Sequence, residues 1–383
     1  MRVLFLSIAF APQVGGVERI TAELLLALQK REFEFLVVVP RPEGGLRDLP
    51  PEDEVDGIRV LRLPFWKGHR DIDEIMALRK RVAAIKRSFS PVLVHTNALG
   101  ATDFFHSITA SESRAPTLTT LHGEWPARFS SLLGQVLRAA HWVTVPSQAT
   151  ARYALSQVPE IAPRLSVVHN ACKPSGAPTF PASSVEASLL FVGRLSPEKG
   201  CDLALRALKH VRESCANAHL TVAGDGPSQA ELQALASDLG LQDAVEFLGE
   251  VQPARVESLI DASTCLLVPS RTEGFGLVAL EAAHRARPVV ATQVGGLPEV
   301  VIDGETGLVV EKDDPTAMAR AVLELLGDRS RALRMGERAK RRAEECFGWE
   351  RFVDSYDELY RRLIADGVRP AAGTGREEPH RGR

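Results

Sequence analysis

Short apolar runs alternate along the chain with longer amphipathic stretches. In the first half, the runs at residues 3–9, 35–39, 57–63, 91–95, 117–122 and 142–146 predict strands. In the second half, the runs at residues 189–192, 218–223, 245–248, 265–268 and 288–291 predict strands again. Runs of this kind, separated by helical stretches, are typical of parallel sheets that helices cover on both faces. The pattern therefore predicts an α/β fold.

The alternation pauses once, at residues 173–188, which are rich in Pro, Ser and Ala. We interpret this stretch as a linker between two doubly wound, Rossmann-like domains at residues 1–172 and 189–346. A last helix is predicted within residues 347–366, and the Gly-, Pro- and Arg-rich residues 367–383 predict a disordered tail. Two such domains face each other across a cleft, and ligands of these sheets bind at the carboxyl ends of the strands.

Composition narrows the class of protein. A length of 383 residues fits two domains better than one core, and a formal net charge of −3 gives no basic field for nucleic acid. The five cysteines are scattered and lack C-x-x-C spacing, which favours a reducing compartment over a zinc or disulfide framework. The apolar N-terminal run is too short for a signal peptide, and no segment is apolar enough to span a bilayer. We therefore expect a cytoplasmic protein.

Two carboxylates bracket a glycine-rich turn in the segment Glu273-Gly-Phe-Gly-Leu-Val-Ala-Leu-Glu281. The segment lies between a predicted strand and an apolar pattern of helical spacing, so it predicts a strand, a tight turn and a helix. A turn of this kind directs backbone N–H groups at an anion, and the helix dipole adds to the attraction. Because a carboxylate repels a phosphate, the pair suits a ligand that also carries hydroxyls, such as a nucleotide sugar.

Two cations follow the predicted strand 189–192 in the segment Gly193-Arg-Leu-Ser-Pro-Glu-Lys-Gly200. Ser196 and Pro197 are typical of an N-cap and a first helical position, which places Lys199 in the first helical turn. Arg194 and Lys199 together suit a diphosphate, because Arg binds two oxygens at once while Lys acts as a point charge. The alternative is a surface pair in which Glu198 screens Lys199.

Three more glycine loops follow strands of the second half: Gly224-Asp-Gly-Pro227, Phe247-Leu-Gly249 and Gly295-Gly-Leu-Pro-Glu299. Each of them alone is compatible with a tight strand–helix connection. Their shared position at strand ends in one domain predicts that they line one site.

The first half offers weaker candidates. Its segment Gln13-Val-Gly-Gly-Val-Glu18 resembles a phosphate loop but lacks the full G-x-G-x-x-G or Walker pattern. His122 and His95 each lie at the end of a predicted strand, where a histidine is either a cleft residue or a structural one. The segment Asp71-Ile-Asp73 resembles a D-x-D metal motif but precedes a helix, so we interpret it as a helix entry and expect no metal.

The order of these motifs along the chain resembles that of the retaining glycosyltransferases of family 4, which have the GT-B fold. The resemblance spans about residues 3–364 and is specific in the second half and diffuse in the first. It implies two Rossmann-like domains facing across a cleft, with the last helix crossing back onto the first domain. It also implies retaining transfer of a hexose-type sugar from a UDP- or GDP-linked donor, with no bound metal or other cofactor.

The resemblance further implies roles for individual residues. Arg194 and Lys199 would hold the diphosphate, Glu273 the hydroxyls of the donor sugar, and Glu281 the two ribose hydroxyls. His122 corresponds to the cleft histidine near the donor sugar, and it joins Arg194, Lys199 and Glu273 as a candidate catalytic residue. The remaining candidates for donor binding are Gly15, Gly16, Gly193, Gly224, Leu248, Gly274, Phe275, Gly276, Leu277 and Val278.

Other partners and functions remain open at this stage. The acceptor is expected to be a glycan, a lipid-linked molecule or a small molecule, in surface polysaccharide, glycolipid or small glycoside biosynthesis. Residues 77–87 form a basic, partly amphipathic helix, which predicts either a solvated face or peripheral contact with the inner face of a membrane. Alternatives are a GT-B-like epimerase or phosphorylase, an NAD-dependent oxidoreductase, and a non-catalytic partner subunit. The intact set of charged residues disfavours the last of these.

Overall fold

The computed structural model describes residues 1–12, 15–41, 49–65, 72–97, 100–126, 129–173, 176 and 187–367. Most of the predicted linker, all but the first residue of the predicted tail, and Gln13, Val14 and Asp71 lie outside these residues. Two largely parallel sheets carry the described part of the chain, so the prediction of an α/β fold with two parallel-sheet domains is confirmed.

The first sheet contains eight strands in the order β3-β4-β2-β1-β5-β6-β7-β8. They are β1 (Arg2–Ser7), β2 (Glu34–Pro40), β3 (Glu52–Val55), β4 (Ile58–Leu63), β5 (Leu93–Asn97), β6 (Thr117–Thr120), β7 (Trp142–Val145) and β8 (Leu165–Val167). Only β3, which pairs with β4, is antiparallel to its neighbour. All six strands predicted in the first half are present. Strands β3 and β8 were not predicted, because β3 is an acidic edge strand and β8 has only three partly buried residues.

The helices of the first domain follow its strands. They are α1 (Gly16–Gln29), α2 (Ile72–Phe89), α3 (Ala101–Ser107), α4 (Ser130–Ala139) and α5 (Gln148–Gln157). The buried side of α1 carries Ile20, Leu24 and Leu28 at helical spacing, and these side chains pack on β1 and β2. Burial of such a stripe supplies most of a helix's stability in a protein.

The second sheet has six strands, all parallel, in the order β11-β10-β9-β12-β13-β14. The strands are β9 (Ser188–Val192), β10 (His219–Ala223), β11 (Val245–Gly249), β12 (Cys265–Val268), β13 (Val289–Thr292) and β14 (Gly307–Val310). The helices are α6 (Cys201–Ser214), α7 (Gln229–Asp238), α8 (Pro253–Ala262), α9 (Leu277–His284), α10 (Leu297–Val300), α11 (Pro315–Gly327) and α12 (Arg329–Cys346). Of these strands only β14, a short edge strand, was not predicted.

The last helix, α13 (Trp349–Gly367), packs against the first sheet. Its side chains Phe352, Tyr356 and Tyr360 share a buried cluster with Phe5 of β1. His95 belongs to this contact, because its Nδ1 lies 2.6 Å from the Tyr360 hydroxyl and its Nε2 2.7 Å from Thr120 Oγ1. The structure therefore assigns His95 to the core, the structural one of the two alternatives that the sequence left open.

The strand orders place the predicted loops at two switch points. In the first sheet the connections from β1 run to one side and those from β5 to the other, and in the second sheet the same reversal occurs between β9 and β12. Ligands of doubly wound sheets bind in the crevice at such points. The loops at residues 193–200 and 269–276 follow β9 and β12, and the loop before α1 follows β1.

Candidate active site

The loops after β9 and β12 are joined by Arg271. Its backbone N–H donates to Glu198 O at 2.8 Å, and its guanidinium donates to Pro197 O at 2.7 Å. The same guanidinium binds both carboxylate oxygens of Asp202 on α6, at 2.9 and 2.8 Å. The hydrogen bonds that the guanidinium donates to the Asp202 carboxylate raise the pKa of Arg271. Arg271 therefore fixes the two loops that carry the predicted cations and carboxylates.

Lys199 and Glu273 meet between these two loops. Lys199 Nζ lies 2.7 Å from Glu273 Oε2, and Ser270 Oγ donates to the same oxygen at 3.3 Å. The predicted helix start was wrong in detail, because Pro197–Lys199 form a 3-10 turn and α6 begins only at Cys201. Glu198 accepts a hydrogen bond from Ser196 Oγ at 2.6 Å, whereas Lys199 pairs with Glu273. The hydrogen-bonded partner of Lys199 is therefore Glu273 and not Glu198.

The strand ends of β9, β10 and β11 lie side by side. Gly193 N donates to Ala223 O at 3.0 Å, and Gly224 N donates to Gly249 O at 2.8 Å. Gly224 has a φ of +147°, and a Cβ there would overlap the carbonyl of Gly193, so only glycine fits. Arg194 is exposed beyond the end of β9, and Leu248 is partly buried in β11. The predicted donor-binding positions of these strands thus share one edge of the sheet.

Gly274 brings the two domains into contact. A Cβ on Gly274 would overlap the carbonyl oxygen of His122, and a Cβ on Gly123 would lie 3.6 Å from the Cα of Gly274. The loop after β6 and the loop before α9 therefore touch backbone to backbone. This contact requires glycine at position 274 and places His122 beside the start of α9.

His122 is held by a relay of polar side chains. Its Nε2 lies 2.9 Å from Asn97 Oδ1, and Asn97 Nδ2 donates to Thr21 Oγ1 on α1 at 3.1 Å. Since an amide oxygen only accepts, Nε2 carries the proton and Nδ1 keeps its lone pair. Nδ1 is buried and has no partner among the described residues. Burial lowers the pKa of His122 to about 4, so the ring is neutral at pH 7. Its Nδ1 can therefore accept a hydrogen bond from a hydroxyl.

The start of α9 carries the other predicted donor-binding residues. Gly276 is its N-cap with a φ of +101°, and the first N–H groups of the helix, at Leu277 and Val278, have no acceptor within the helix. Phe275 is buried and packs edge-on against Phe347 at 5.4 Å between ring centroids. Phe275 is therefore a packing residue that fixes the turn, and only its backbone is available to a ligand.

Glu281 on α9 forms an ion pair with Arg19 on α1, in the other domain. The exposed fractions of the two side chains are 16% for Glu281 and 31% for Arg19. Burial raises the pKa of Glu281, while the guanidinium of Arg19 opposes the rise. Gly15 is the N-cap of α1, and Gly16 is the first residue of that helix. A Cβ on Gly16 would lie 3.0 Å from the Leu277 side chain of α9. Gly16 therefore contacts α9 across the cleft, whereas a Cβ on Gly15 would meet the Glu18 side chain of α1.

The structure thus brings together most of the predicted site and adds residues that were not predicted. The added ones are Arg19, Asn97 and Arg271. The only sequence signal for Arg19 is its place beside the Gly-Gly-Val-Glu segment, and Asn97 ends the strand that also carries His95. Their partners lie far away in the sequence, so local patterns could not reveal their roles.

The basic helix α2 is partly engaged within the first domain. Lys86 is buried and donates to His106 O and Thr109 O at 3.0 and 2.9 Å, while Arg79 donates to Ile108 O at 3.3 Å. Desolvation lowers the pKa of Lys86 to about 8. These contacts remove two cations from the predicted basic face. None of the helices among the described residues combines the length and apolarity needed to cross a membrane.

Comparison with known proteins agrees with this architecture. A family model described as Glycosyltransferase Family 4 matches residues 14–175, and one described as Glycosyl transferases group 1 matches residues 181–342. The glycogen synthase of Mycobacterium tuberculosis is 29% identical over 94% of this chain and 94% of its own length.

Two solved structures share the fold. Sucrose-phosphate synthase from Thermosynechococcus elongatus superposes with a TM-score of 0.82 and 22% identity, covering 96% of this chain and 100% of that one. Anabaena Alr3699/HepE in complex with UDP-glucose gives a TM-score of 0.77 and 20% identity, with coverage of 96% and 100%. With both halves of the chain matched by glycosyltransferase models, the chain belongs to the family 4-type glycosyltransferases, enzymes of the GT-B fold.

Proposed function

We propose that this enzyme moves a hexose-type sugar from a UDP- or GDP-linked donor to an acceptor hydroxyl, with retention of configuration and without a metal. One observation carries the proposal: Lys199, Glu273, the Gly274 turn and His122 converge where the loops of the two domains meet. A cation, a carboxylate, helix-terminal amides and a neutral histidine are the groups that a nucleotide sugar requires.

The diphosphate is proposed to lie between Arg194, Lys199 and the start of α9. Negative charge develops on the diphosphate as the sugar departs, and fixed cations and amides stabilise that charge. Lys199 carries one ammonium and Arg194 a planar guanidinium, so together they can neutralise several phosphate oxygens. The support is that both cations follow β9 and that Lys199 pairs with Glu273, which lies in the loop before α9.

The donor sugar is proposed to bind between Glu273 and His122. Glu273 accepts hydrogen bonds only, so its free lone pairs suit sugar hydroxyls. His122 Nδ1 is a second acceptor that has no partner among the described residues. A neutral ring suits this role, because an imidazolium would oppose the positive charge that develops at the anomeric carbon.

We propose attack from the face that the diphosphate leaves. The bond between the anomeric carbon and the diphosphate oxygen breaks as the bond to the acceptor oxygen forms. A phosphate oxygen of the leaving group takes the acceptor's proton, so charge and protons balance. The two cations then stabilise the departing diphosphate in the way that a metal does in other transferases.

The ribose hydroxyls are proposed to bind Glu281. Arg19 now occupies that carboxylate, so the donor has to share it or displace the guanidinium. The guanidinium of Arg19 favours the ionised form of Glu281, and a carboxylate can accept one hydrogen bond from each of the two ribose hydroxyls.

The acceptor is proposed to be a glycan, a lipid-linked molecule or a small molecule with a free hydroxyl, which places the reaction in surface polysaccharide, glycolipid or small glycoside biosynthesis. For a lipid-linked acceptor, the exposed cations of α2 would be the surface that meets anionic lipid at the inner face of a membrane.

Flotation with vesicles of phosphatidylglycerol tests that contact between α2 and anionic lipid. A solvated role for α2 predicts that no protein floats.

Thermal stabilisation by nucleotides tests the donor site. Purified enzyme is melted with UDP, GDP or ADP, without added metal, next to the Glu281→Ala variant. A nucleotide that binds only the folded state raises the free energy of unfolding by mass action, by about 2.7 kcal/mol at a hundredfold excess over Kd, and so raises Tm. We expect a clear shift with UDP or GDP that is reduced in the variant. Absence of any shift would reject the donor proposal and favour a non-catalytic subunit.

A further inference from the structure

Glu299 crosses from the second domain to the first. It lies on α10, and its carboxylate accepts two backbone N–H groups at the start of α5, from Gln148 to Oε2 and from Ala149 to Oε1, both at 2.9 Å. His169 Nε2 lies 3.4 Å from Oε2 of the same carboxylate. Both oxygens of Glu299 are therefore committed to the other domain.

Helix α5 is capped by two domains at once. The first N–H groups of a helix have no partner within it, and they carry the positive end of the helix dipole. At α5 the side chain of Ser147 accepts the N–H of Thr150 at 3.0 Å, and Glu299 takes the two donors before it. If the domains part, two donors of α5 and one carboxylate lose their partners together.

The same helix start holds the donor turn. Ser147 Oγ donates to Gly274 O at 2.7 Å, and Thr150 Oγ1 donates to the same oxygen at 3.2 Å. Ser147 and Thr150 are both buried. The carbonyl of Gly274 is therefore fixed by α5, and Glu299 fixes α5 to α10.

The second domain anchors Glu299 from behind. Arg342 on α12 donates to the backbone oxygen of Glu299 at 2.8 Å. This bond ties α10 to α12, so the clasp joins two packed helices of the second domain to one helix of the first. A contact between rigid elements sets a distance more closely than a contact between loops does.

We propose that Glu299 is a positioning residue, an interdomain clasp that holds the Gly274 turn at the distance from His122 that transfer requires. The inference rests on the proposed function, because it assigns His122 and the Gly274 turn to the donor sugar. It separates two properties of the enzyme. The proposed nucleotide ligands Arg194, Lys199 and Glu281 all lie in the second domain. Transfer also requires the correct distance between the Gly274 turn of the second domain and His122 of the first.

The test compares Glu299→Ala and Glu299→Gln with Asp314→Ala. Asp314 caps α11 by accepting the N–H of Ala317 at 2.8 Å, so its loss removes a helix cap inside one domain. Loss of about 1 Å of register costs on the order of a hundredfold in rate, so we expect kcat of Glu299→Ala to fall by about that factor. Glu299→Gln keeps one acceptor oxygen, so its kcat should lie between that of wild type and that of Glu299→Ala. For both variants the Kd of the stabilising nucleotide, by calorimetry, should stay within about threefold, since its ligands are untouched.

The control and a scattering measurement separate positioning from a merely structural cap. Asp314→Ala should lower Tm with kcat unchanged, and a Glu299→Ala enzyme that behaves in the same way would overturn the proposal. Small-angle X-ray scattering reads the clasp without catalysis: the radius of gyration of Glu299→Ala should increase over wild type, and an unchanged value would also overturn it. Wild-type enzyme that neither binds nucleotide nor transfers sugar contradicts the proposed function instead, and scattering still decides the clasp.

Discussion

Lys199 Nζ lies 2.7 Å from Glu273 Oε2 between the loops that follow β9 and β12. The exposed fractions of the two side chains are 32% and 14%, so the pair is partly screened by water. The cation proposed for the diphosphate and the carboxylate proposed for the sugar therefore neutralise each other while the donor is absent. Under the proposed function, donor binding would exchange the carboxylate partner of Lys199 for the diphosphate.

Replacing Lys199 by Ala should weaken binding of a nucleoside diphosphate. A hydrogen bond to a charged group contributes about 1.5–3 kcal/mol, so Kd should rise roughly 10- to 100-fold. Calorimetry with UDP and GDP measures this. Uridine and guanosine serve as control ligands, because they lack the phosphates and their affinity should not change. An equal loss for nucleoside and diphosphate would place Lys199 elsewhere in the site.

Replacing Arg19 by Ala should destabilise the empty enzyme and enlarge its response to nucleotide. Glu281 then loses its cation in a half-buried position, at a cost of about 1–2 kcal/mol after allowance for solvent screening. The ribose hydroxyls no longer compete with a guanidinium, so the rise in Tm on adding nucleotide should exceed that of wild type.

Arg31→Ala is the matched control for this change, because Arg31, in the turn after α1, pairs with Asp354 at 2.6 Å and Asp357 at 3.2 Å on α13, away from the cleft. This variant should melt earlier without altering the nucleotide increment. A smaller increment in Arg19→Ala than in wild type would instead make Arg19 a ligand of the donor.

The pH dependence of stability should report His122. Its pKa is lowered from 6.5 to about 4 by burial, so the unfolded chain binds a proton that the folded chain does not. The contribution of the neutral ring is complete above pH 6.5 and is lost as pH falls toward 4. The loss amounts to at most about 3 kcal/mol. Denaturant unfolding of wild type and His122→Gln at several pH values measures it, and the difference between them should shrink in acid. A difference that stays constant with pH contradicts the assignment.

Gly274→Ala should separate the two domains locally. Its Cβ would overlap the carbonyl of His122, and overpacking of this kind costs about 1–3 kcal/mol. We expect a lower Tm together with a large loss of kcat/KM. In Gly327→Ala the new Cβ on α11 meets nothing within 4 Å, so that variant should keep its activity and melt at or above the wild-type temperature. Wild-type activity in Gly274→Ala would show that the contact between the loops is dispensable.

The local architecture could be predicted from the sequence because its signals are local. Every predicted strand is present, and the segment that ends in Glu281 forms the expected strand, turn and helix. The Lys199 turn shows the limit of such signals. Ser196 and Pro197 begin a 3-10 turn and not α6. Gly200 adopts a left-handed conformation that ends this turn, and α6 starts after it at Cys201.

The contacts between the domains could not be predicted, because they depend on how two sheets face each other. Arg19 and Glu281 lie 262 residues apart, and Glu299 lies 151 residues from Gln148. His95 and His122 illustrate the same point, since both lie at or near strand ends. Only the packing of α13 makes His95 a core residue, while the loop after β6 carries His122 into the cleft.

The anomeric configuration of the transferred sugar tests the central claim most directly. The nucleotide that stabilises the enzyme identifies the donor class. Its sugar nucleotide is then incubated with the enzyme and a set of glycan, lipid-linked and small hydroxyl acceptors without metal, and the product is followed by proton NMR. We predict a product whose anomeric configuration equals that of the donor, formed at a rate that depends on Glu273 and Lys199. A product of inverted configuration would contradict the account.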